Sequence, residues 1–372
     1  PLPTYLVPDF AQLCEEEGVD VPDRIQALCR RLLGAENLPR APLPGDLKAQ
    51  LRSYQRKGVD WLLFLREAGM GALLADDMGL GKTIQVLAML VRRRRAVAEG
   101  GLAQRPSLVV VPKSLVFNWM EEAARFGPGL RVLNHTGNQR GEGNGAIEDH
   151  DIVLTTYGTL RRDIMRHREV EFDYVVLDEA QAIKNPTSET AQQLRRIPAR
   201  SRVALTGTPI ENGLGDLWAI LDFTNPGLVG SRPSFISQMR GTGEEALRAL
   251  NGILLFRRTK AEPEVARELP DKIDELDHCT MTPEQIGLYQ AVLDTLVVDM
   301  QQPDDAEKKQ GAILAAITAL KQICNHPAAY RDDGQPLHGR SGKLARLEEI
   351  VESVFEADER VLIFTHFASW GQ

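Results

Sequence analysis

Five consecutive residues, Gly79-Leu80-Gly81-Lys82-Thr83, stand between a short apolar run, Ala72-Leu73-Leu74-Ala75, and a stretch from Thr83 to Val97 with helical patterning. A strand, a glycine turn and a helix N-terminus in that order make a cradle for phosphate. Backbone N–H groups face the anion, the lysine neutralises β/γ charge, and the threonine hydroxyl binds Mg²⁺. The implied chemistry is that of a nucleoside triphosphate. One position departs from the general pattern, which places glycine five residues before Gly81, where this chain has Asp76.

A second group is Asp178-Glu179-Ala180-Gln181, which closes the apolar run Tyr174-Val175-Val176-Leu177. Adjacent acids at the C-terminal end of a strand lie where open α/β sheets bind ligands. Asp178 is then placed to hold a metal, directly or through water, and Glu179 to accept a proton from an attacking water. Taken alone, the pair reads better as an acidic cap that favours a helix dipole. With the phosphate loop upstream, the catalytic reading prevails. Thr206-Gly207-Thr208-Pro209 leaves the next strand, and its hydroxyls are placed to sense a γ-phosphate or to touch Asp178 and Glu179; an ordinary turn needs only the Gly and Pro.

These groups need a frame. Leu108-Val109-Val110-Val111, Ile152-Val153-Leu154-Thr155, Tyr174 to Leu177 and Arg202-Val203-Ala204-Leu205-Thr206 read as short buried strands separated by helices. That alternation predicts an α/β fold with a parallel sheet covered on both faces. Apolar spacing predicts a helix from Leu51 to Leu65 and another around residues 25–33. Beyond Asp216 the patterning turns mainly helical, as in Gln285 to Met300 and Gly311 to Cys324, with a surface turn at residues 301–305. Val361-Leu362-Ile363-Phe364-Thr365 reads again as a buried strand.

Composition sets the outer limits. The chain has 372 residues, 43% hydrophobic and 26% charged, which excludes fibrous, low-complexity and wholly disordered classes. No apolar run approaches the roughly 18 residues of a membrane span, and the N-terminal residues lack signal-peptide patterning, so no membrane partner is expected. A start at Pro1 points to an excised piece. Cys14, Cys29, Cys279 and Cys324 lack metal or redox spacing and read as reduced thiols. Net charge is -8, yet residues 46–222 carry 24 basic against 22 acidic groups, so that segment is the one suited to phosphate. Arg92-Arg93-Arg94-Arg95 reads as cations favoured at a helix C-terminus, whereas Arg161, Arg162, Arg166 and Arg168 are open to either a structural role or a DNA-backbone contact.

In order, these motifs resemble the ATPase motor of the Swi/Snf family, within the superfamily 2 helicase-like translocases. The resemblance runs from Leu51 to the C-terminus. Leu51-Arg52-Ser53-Tyr54-Gln55 resembles the adenine-recognising segment, with Gln55 as base reader. Leu74-Ala75-Asp76-Asp77-Met78-Gly79-Leu80-Gly81-Lys82-Thr83 resembles the family's phosphate loop, which itself has aspartate at the position of Asp76. ATP-binding residues implied by the match are Gln55, Asp76, Met78, Gly79, Leu80, Gly81, Lys82, Thr83 and Ile84. Thr83 and Asp178 would hold Mg, and Lys82, Asp178 and Glu179 would be catalytic. Val111-Pro112-Lys113-Ser114-Leu115 with Trp119, and Thr155-Thr156-Tyr157, resemble contacts to the DNA backbone. Thr206, Gly207 and Thr208 match the coupling motif. Arg257-Arg258-Thr259-Lys260, Ile323-Cys324-Asn325-His326-Pro327 and Ser341-Gly342-Lys343-Leu344 match family-specific linkers and helical insertions.

The resemblance implies an N-terminal extension at 1–45, a first RecA-like ATP-binding lobe at 46–222, helical insertions at 223–340, and a truncated start of a second RecA-like lobe at 341–372. The arginine fingers of that second lobe are then expected beyond residue 372, and residues 1–372 are expected to fold without appreciable turnover. The implied function is ATP hydrolysis coupled to movement along duplex DNA, remodelling an unidentified DNA-bound protein. Strand separation on DNA or RNA, and a nucleotide- and DNA-binding scaffold without turnover, are the alternatives. Arginine outnumbers lysine 33 to 11, which points to a GC-rich, bacterial source. The expected location is cytoplasmic, with the nucleoid in bacteria or the nucleus in eukaryotes.

Overall fold

The computed structural model describes residues 38, 40–137, 145–238, 250, 254–270, 273–301 and 306–367. The helix expected at residues 25–33 and most of the turn at 301–305 lie outside these. The chain divides into two compact units, Pro1–Asp271 and Lys272–Gln372.

The first unit is built on a parallel sheet. Its strands are β1 (Ala72–Leu74), β2 (Ser107–Val111), β3 (Val132–Asn134), β4 (Ile152–Thr156), β5 (Phe172–Leu177), β6 (Ala199–Leu205) and β7 (Leu255–Phe256), in the spatial order β3-β4-β2-β5-β6-β1-β7. Strands β1, β2 and β5 are largely apolar and buried at every position, as a sheet covered on both faces requires. The cover includes α1 (Ser53–Glu67), α2 (Lys82–Ala98), α3 (Val116–Phe126), α4 (Tyr157–Arg162) and α5 (Leu214–Thr224). Strand β7 falls in a stretch whose sequence reads as helical. Its two residues are too few to give a periodic signal, and it forms because Leu73 and Leu74 of β1 offer an open edge to Leu255 and Phe256.

At the edge where the strands begin, Asp173 of β5 is buried between Arg93 of α2 at 2.5 Å and Arg66 of α1 at 2.9 Å. Other members of the basic run are also engaged. Arg92 donates to the Pro42 carbonyl, Arg94 lies 3.6 Å from both Asp46 and Asp151, and Arg95 pairs with Glu99. The run therefore pins α2 to its surroundings. At the opposite edge Thr156 ends β4, Asp178 follows β5 and Thr206 follows β6; the register sets Thr156 and Asp178 level on either side of Val111 in β2, with Thr206 one residue further along on β6.

Within the second unit, α6 (Pro283–Gln301), α7 (Ala306–Asn325) and α8 (Gly342–Glu356) dominate. Gln285 is buried and donates to the Ile323 carbonyl, tying α6 to α7. His326 is fully buried; its Nδ1 accepts from Ala328 N–H and its Nε2 faces the Leu337 carbonyl at 2.9 Å, which fixes the proton on Nε2. Ser341 caps α8 by accepting from Leu344 N–H and donates to the Asn325 carbonyl, while Lys343 reaches Asn325 Oδ1 at 3.1 Å. Two stretches matched as family-specific motifs thus hold each other. The strand expected at residues 361–365 does not form. That segment has no regular secondary structure, with Leu362 and Phe364 85% and 90% exposed. A strand needs a neighbour for its backbone groups, and this unit has none among its described residues.

Candidate nucleotide site and adjoining cleft

The phosphate loop follows β1 and opens α2. Gly79 and Gly81 both have left-handed backbone, with φ of 86° and 79°, a conformation that glycine adopts without penalty. Gly81 is the N-cap residue and supplies no side-chain acceptor, so no cap group covers the first N–H groups of α2. A Cβ on Gly81 would come within 2.5 Å of Gln55 Nε2. Gln55, on α1, donates to the Leu80 carbonyl at 3.1 Å and accepts from Arg52 N–H at 3.0 Å. Its carboxamide keeps one further N–H and one lone pair.

Lys82 Nζ folds back on its own loop, donating to the carbonyls of Asp76 at 2.8 Å and Asp77 at 3.4 Å. Burial pushes its ammonium down from the ordinary lysine range, against the pull of Asp76, Glu179, Asp178 and Asp77. The loop and the acid pair therefore share one electrostatic environment. Asp76 contributes its carbonyl only, because its buried carboxylate is fully engaged. Arg258 reaches it through Nε at 2.8 Å, through Nη2 and through its backbone N–H at 3.1 Å, and Gln85 donates at 3.2 Å. The Arg258 guanidinium lies over the rings of Phe256 and Tyr54. An aspartate where a general phosphate loop has glycine is thus the anchor for the chain beyond β7.

That same segment brings in Lys260, which the sequence marks only as part of a linker motif and not as a site residue. Asp77 N–H donates to the Arg258 carbonyl, and Lys260 N–H donates to Asp77 Oδ2 at 2.9 Å. The pairing carries Lys260 alongside the loop, its Nζ 3.7 Å from the point a Cβ on Gly79 would occupy. The separation of 183 residues between Asp77 and Lys260 hides this proximity from spacing arguments.

Asp178 and Glu179 close β5. Asp178 Oδ2 accepts from Trp119 Nε1 at 2.8 Å, and its Oδ1 accepts from Glu179 N–H at 2.9 Å. Burial pushes the Asp178 carboxyl above the ordinary carboxylate range; the Trp119 bond works the other way, and the Glu179 charge adds to the rise. Nearby Glu122 is also raised, first by burial and then by Asp178. Glu179 has φ 50° and ψ 56°, a left-handed conformation rare outside glycine. Its Oε2 accepts from Gln181 Nε2 at 2.8 Å, and Gln181 Oε1 accepts from Thr206 Oγ1 at 2.9 Å. Thr206 Oγ1 in turn accepts from Thr208 N–H at 3.0 Å. Gly207 closes the gap to the loop, since a Cβ there would lie 2.8 Å from Met78 Cγ.

On the other side of Asp178 lies a cleft of about 410 Å³, lined by Lys113, Thr156, Tyr157, Arg161 and Arg162 among others. Thr156 caps α4 by accepting from Thr159 N–H. Ser114 is exposed on the short turn after β2. Thr155 must be removed from the expected contact set. It lies inside β4, which is buried up to its last residue, and its hydroxyl donates to the His135 carbonyl. Arg161 and Arg162 line the cleft, while Arg166 and Arg168 do not.

A metal beside the loop would have few protein ligands. Among the described residues no group of three or more His, Cys, Asp or Glu side chains is arranged to hold one. That fits a Mg²⁺ bound mainly by phosphate oxygens and water, with one hydroxyl and one carboxylate from the protein.

The chain matches a family model described as an SNF2-related domain over residues 54–329. YwqA of Bacillus subtilis (strain 168), named as an ATP-dependent helicase/translocase, is 38% identical over 366 residues, covering 95% of this chain and 39% of that protein. The chromatin-remodeling ATPase INO80 of Homo sapiens is 33% identical over 330 residues, covering 80% of this chain and 21% of that one. Among solved structures, the Sulfolobus solfataricus SWI2/SNF2 ATPase core in complex with dsDNA is 39% identical with a TM-score of 0.56, covering 90% of this chain and 70% of that chain. The chain thus spans well under half the length of these two sequence relatives.

Proposed function

The chain belongs to the SNF2-related domain family, and from that premise we propose that its first unit is the ATP-binding lobe of a DNA-dependent ATPase that moves along duplex DNA and remodels protein–DNA complexes. The observation that carries this is the position of Asp178. Its charge acts on Lys82 of the phosphate loop, and its carboxylate and carbonyl are held by Trp119 and Tyr157, residues of α3 and α4 beside the basic cleft. One strand end thereby borders both ligands.

ATP is the substrate in this reading. Gln55 presents its remaining N–H and lone pair to the adenine edge. The first N–H groups of α2, from Gly81 to Ile84, cradle phosphate, and Lys82 leaves the Asp76 and Asp77 carbonyls for the β/γ oxygens. Thr83 and Asp178 would hold Mg²⁺, which when bound neutralises charge on the phosphates. Glu179 accepts the proton of the attacking water, with Gln181 aiming its carboxylate. Thr206 senses the state of that carboxylate through Gln181, and Met78 packed on Gly207 links the same turn to the loop. Lys113, Ser114, Thr156, Tyr157 and the pair Arg161 and Arg162 take the phosphodiester backbone, which gives little dependence on base sequence.

The test is ATP hydrolysis by the full-length protein with and without duplex DNA, for wild type and Lys82→Ala. Duplexes of unrelated sequence should stimulate the wild type alike, with an effect that falls steeply as salt rises, and the lysine variant should show no turnover. Displacement of a third strand from a duplex that stays paired distinguishes translocation from strand separation. Unchanged turnover in Lys82→Ala would sink the phosphate-site assignment, and a rate indifferent to DNA would sink the DNA reading.

A further inference from the structure

The peptide between Asp178 and Glu179 is fixed at both of its polar groups. Its carbonyl accepts from the Tyr157 hydroxyl at 2.7 Å. Its N–H donates to Asp178 Oδ1, on a carboxylate whose other oxygen is held by Trp119. The residue that follows this plane, Glu179, stands in the left-handed region with φ 50°. A non-glycine residue keeps such a conformation only where its surroundings over-determine it. Of the hydrogen bonds just named, those from Trp119 and Tyr157 tie this plane to α3 and α4.

Tyr157 also belongs to the cleft. It is the first residue of α4, directly after the Thr156 cap, and it lines the cleft with Lys113, Arg161 and Arg162. One residue therefore lines the basic cleft and holds the backbone of the acid pair with its hydroxyl. The phenol is held well above its ordinary pKa, first by burial and then by Asp178 and Glu179, so it is a donor throughout the working pH range.

We propose that Tyr157 is a positioning residue through which a phosphate backbone seated in the cleft sets the conformation of Glu179. The inference rests on the function proposed above and adds the residue that joins its two sites. A backbone lying against Lys113, Arg161 and Arg162 confines the Tyr157 ring and so holds its hydroxyl on the Asp178 carbonyl. The coupling runs from ring to hydroxyl to peptide plane to carboxylate, and every link is a direct contact.

The experiment compares wild type with Tyr157→Phe in the full-length protein. It measures kcat at saturating duplex DNA, KM for ATP, the Kd for DNA and the melting temperature. Phenylalanine keeps the ring in the cleft and removes only the hydroxyl. We expect kcat at saturating DNA to fall about tenfold, the factor that one hydrogen bond of ordinary net strength is worth, while KM and the DNA Kd stay within about twofold. Tyr157→Ala, which also removes the ring, should show the same loss of kcat and weaker DNA binding. A Tyr157→Phe variant with wild-type kcat at saturating DNA overturns the proposal. So does one in which KM, Kd and melting temperature deteriorate together with kcat, since that is general structural damage. If wild type itself shows no DNA stimulation, the functional reading fails and takes this inference with it; the wild-type arm separates that outcome from the failure of Tyr157 alone.

Discussion

Thr206 and Glu179 are joined through one carboxamide. Thr206 Oγ1 donates to Gln181 Oε1 at 2.9 Å, and Gln181 Nε2 donates to Glu179 Oε2 at 2.8 Å. The relay crosses from the end of β6 to the end of β5 and connects the turn that packs on the phosphate loop to the proposed base. Gln181→Ala leaves both the hydroxyl and the carboxylate without this partner. Expected is a fall in DNA-stimulated kcat of about tenfold, in the range of one lost hydrogen bond to a charged group, with ATP affinity near wild type. Steady-state kinetics together with equilibrium ATP binding checks the split.

Arg258 and Asp76 form a buried ion pair that holds the strand-β7 segment on the phosphate loop. Breaking such a pair leaves an uncompensated charge inside the protein and costs about 3–5 kcal/mol. Arg258→Ala should therefore lower the denaturation midpoint sharply. Removing Arg346, whose partners Asp277 and Glu349 are solvent-exposed, should change it little. Urea titration of the variants makes the comparison.

Lys260 stands beside Gly79, held there by its backbone bond to Asp77. A second ammonium at the loop should favour the more highly charged nucleotide. Lys260→Ala should weaken ATP binding by about fivefold, the effect of about 1 kcal/mol of charge attraction at a solvated site. The loss for ADP should be smaller. Fluorescence titration with labelled nucleotides reads both.

Asp178 must be ionised to hold a cation, and burial already raises its pKa. The acid limb of kcat/KM should consequently lie above the ordinary carboxylate range. Trp119 opposes the rise by donating to the charged form. Trp119→Phe removes that donor, so the Asp178 pKa climbs further and the acid limb moves to higher pH. A pH–rate series on both proteins checks the direction; a limb that moves to lower pH would contradict the assignment.

Much of this site was legible in the sequence because its parts are local. A strand, a glycine turn and Lys82 are contiguous, and Asp178 and Glu179 follow an apolar run. The alternation of short strands with helices gave the covered parallel sheet for the same reason. What escaped were relations made by the fold across long separations. Asp76 reads in sequence as a ligand-site residue, whereas the fold gives its carboxylate to Arg258, and Lys260 reaches the loop only through the edge strand β7. Thr155 and Thr156 look alike in sequence, but Thr155 is buried within β4 and Thr156 ends the strand at the cleft. Residues 361–365 had a strand's composition, and composition does not supply the pairing partner that a strand needs.

The central claim is that Glu179 is the base of an ATP-hydrolysing site. Single-turnover hydrolysis by the full-length protein at saturating duplex DNA, for wild type and Glu179→Gln, tests it most directly. Glutamine keeps the shape and cannot take the proton, so the variant should bind ATP as wild type does and lose hydrolysis by at least about 10²-fold. A Glu179→Gln protein that hydrolyses ATP at the wild-type rate would contradict the account.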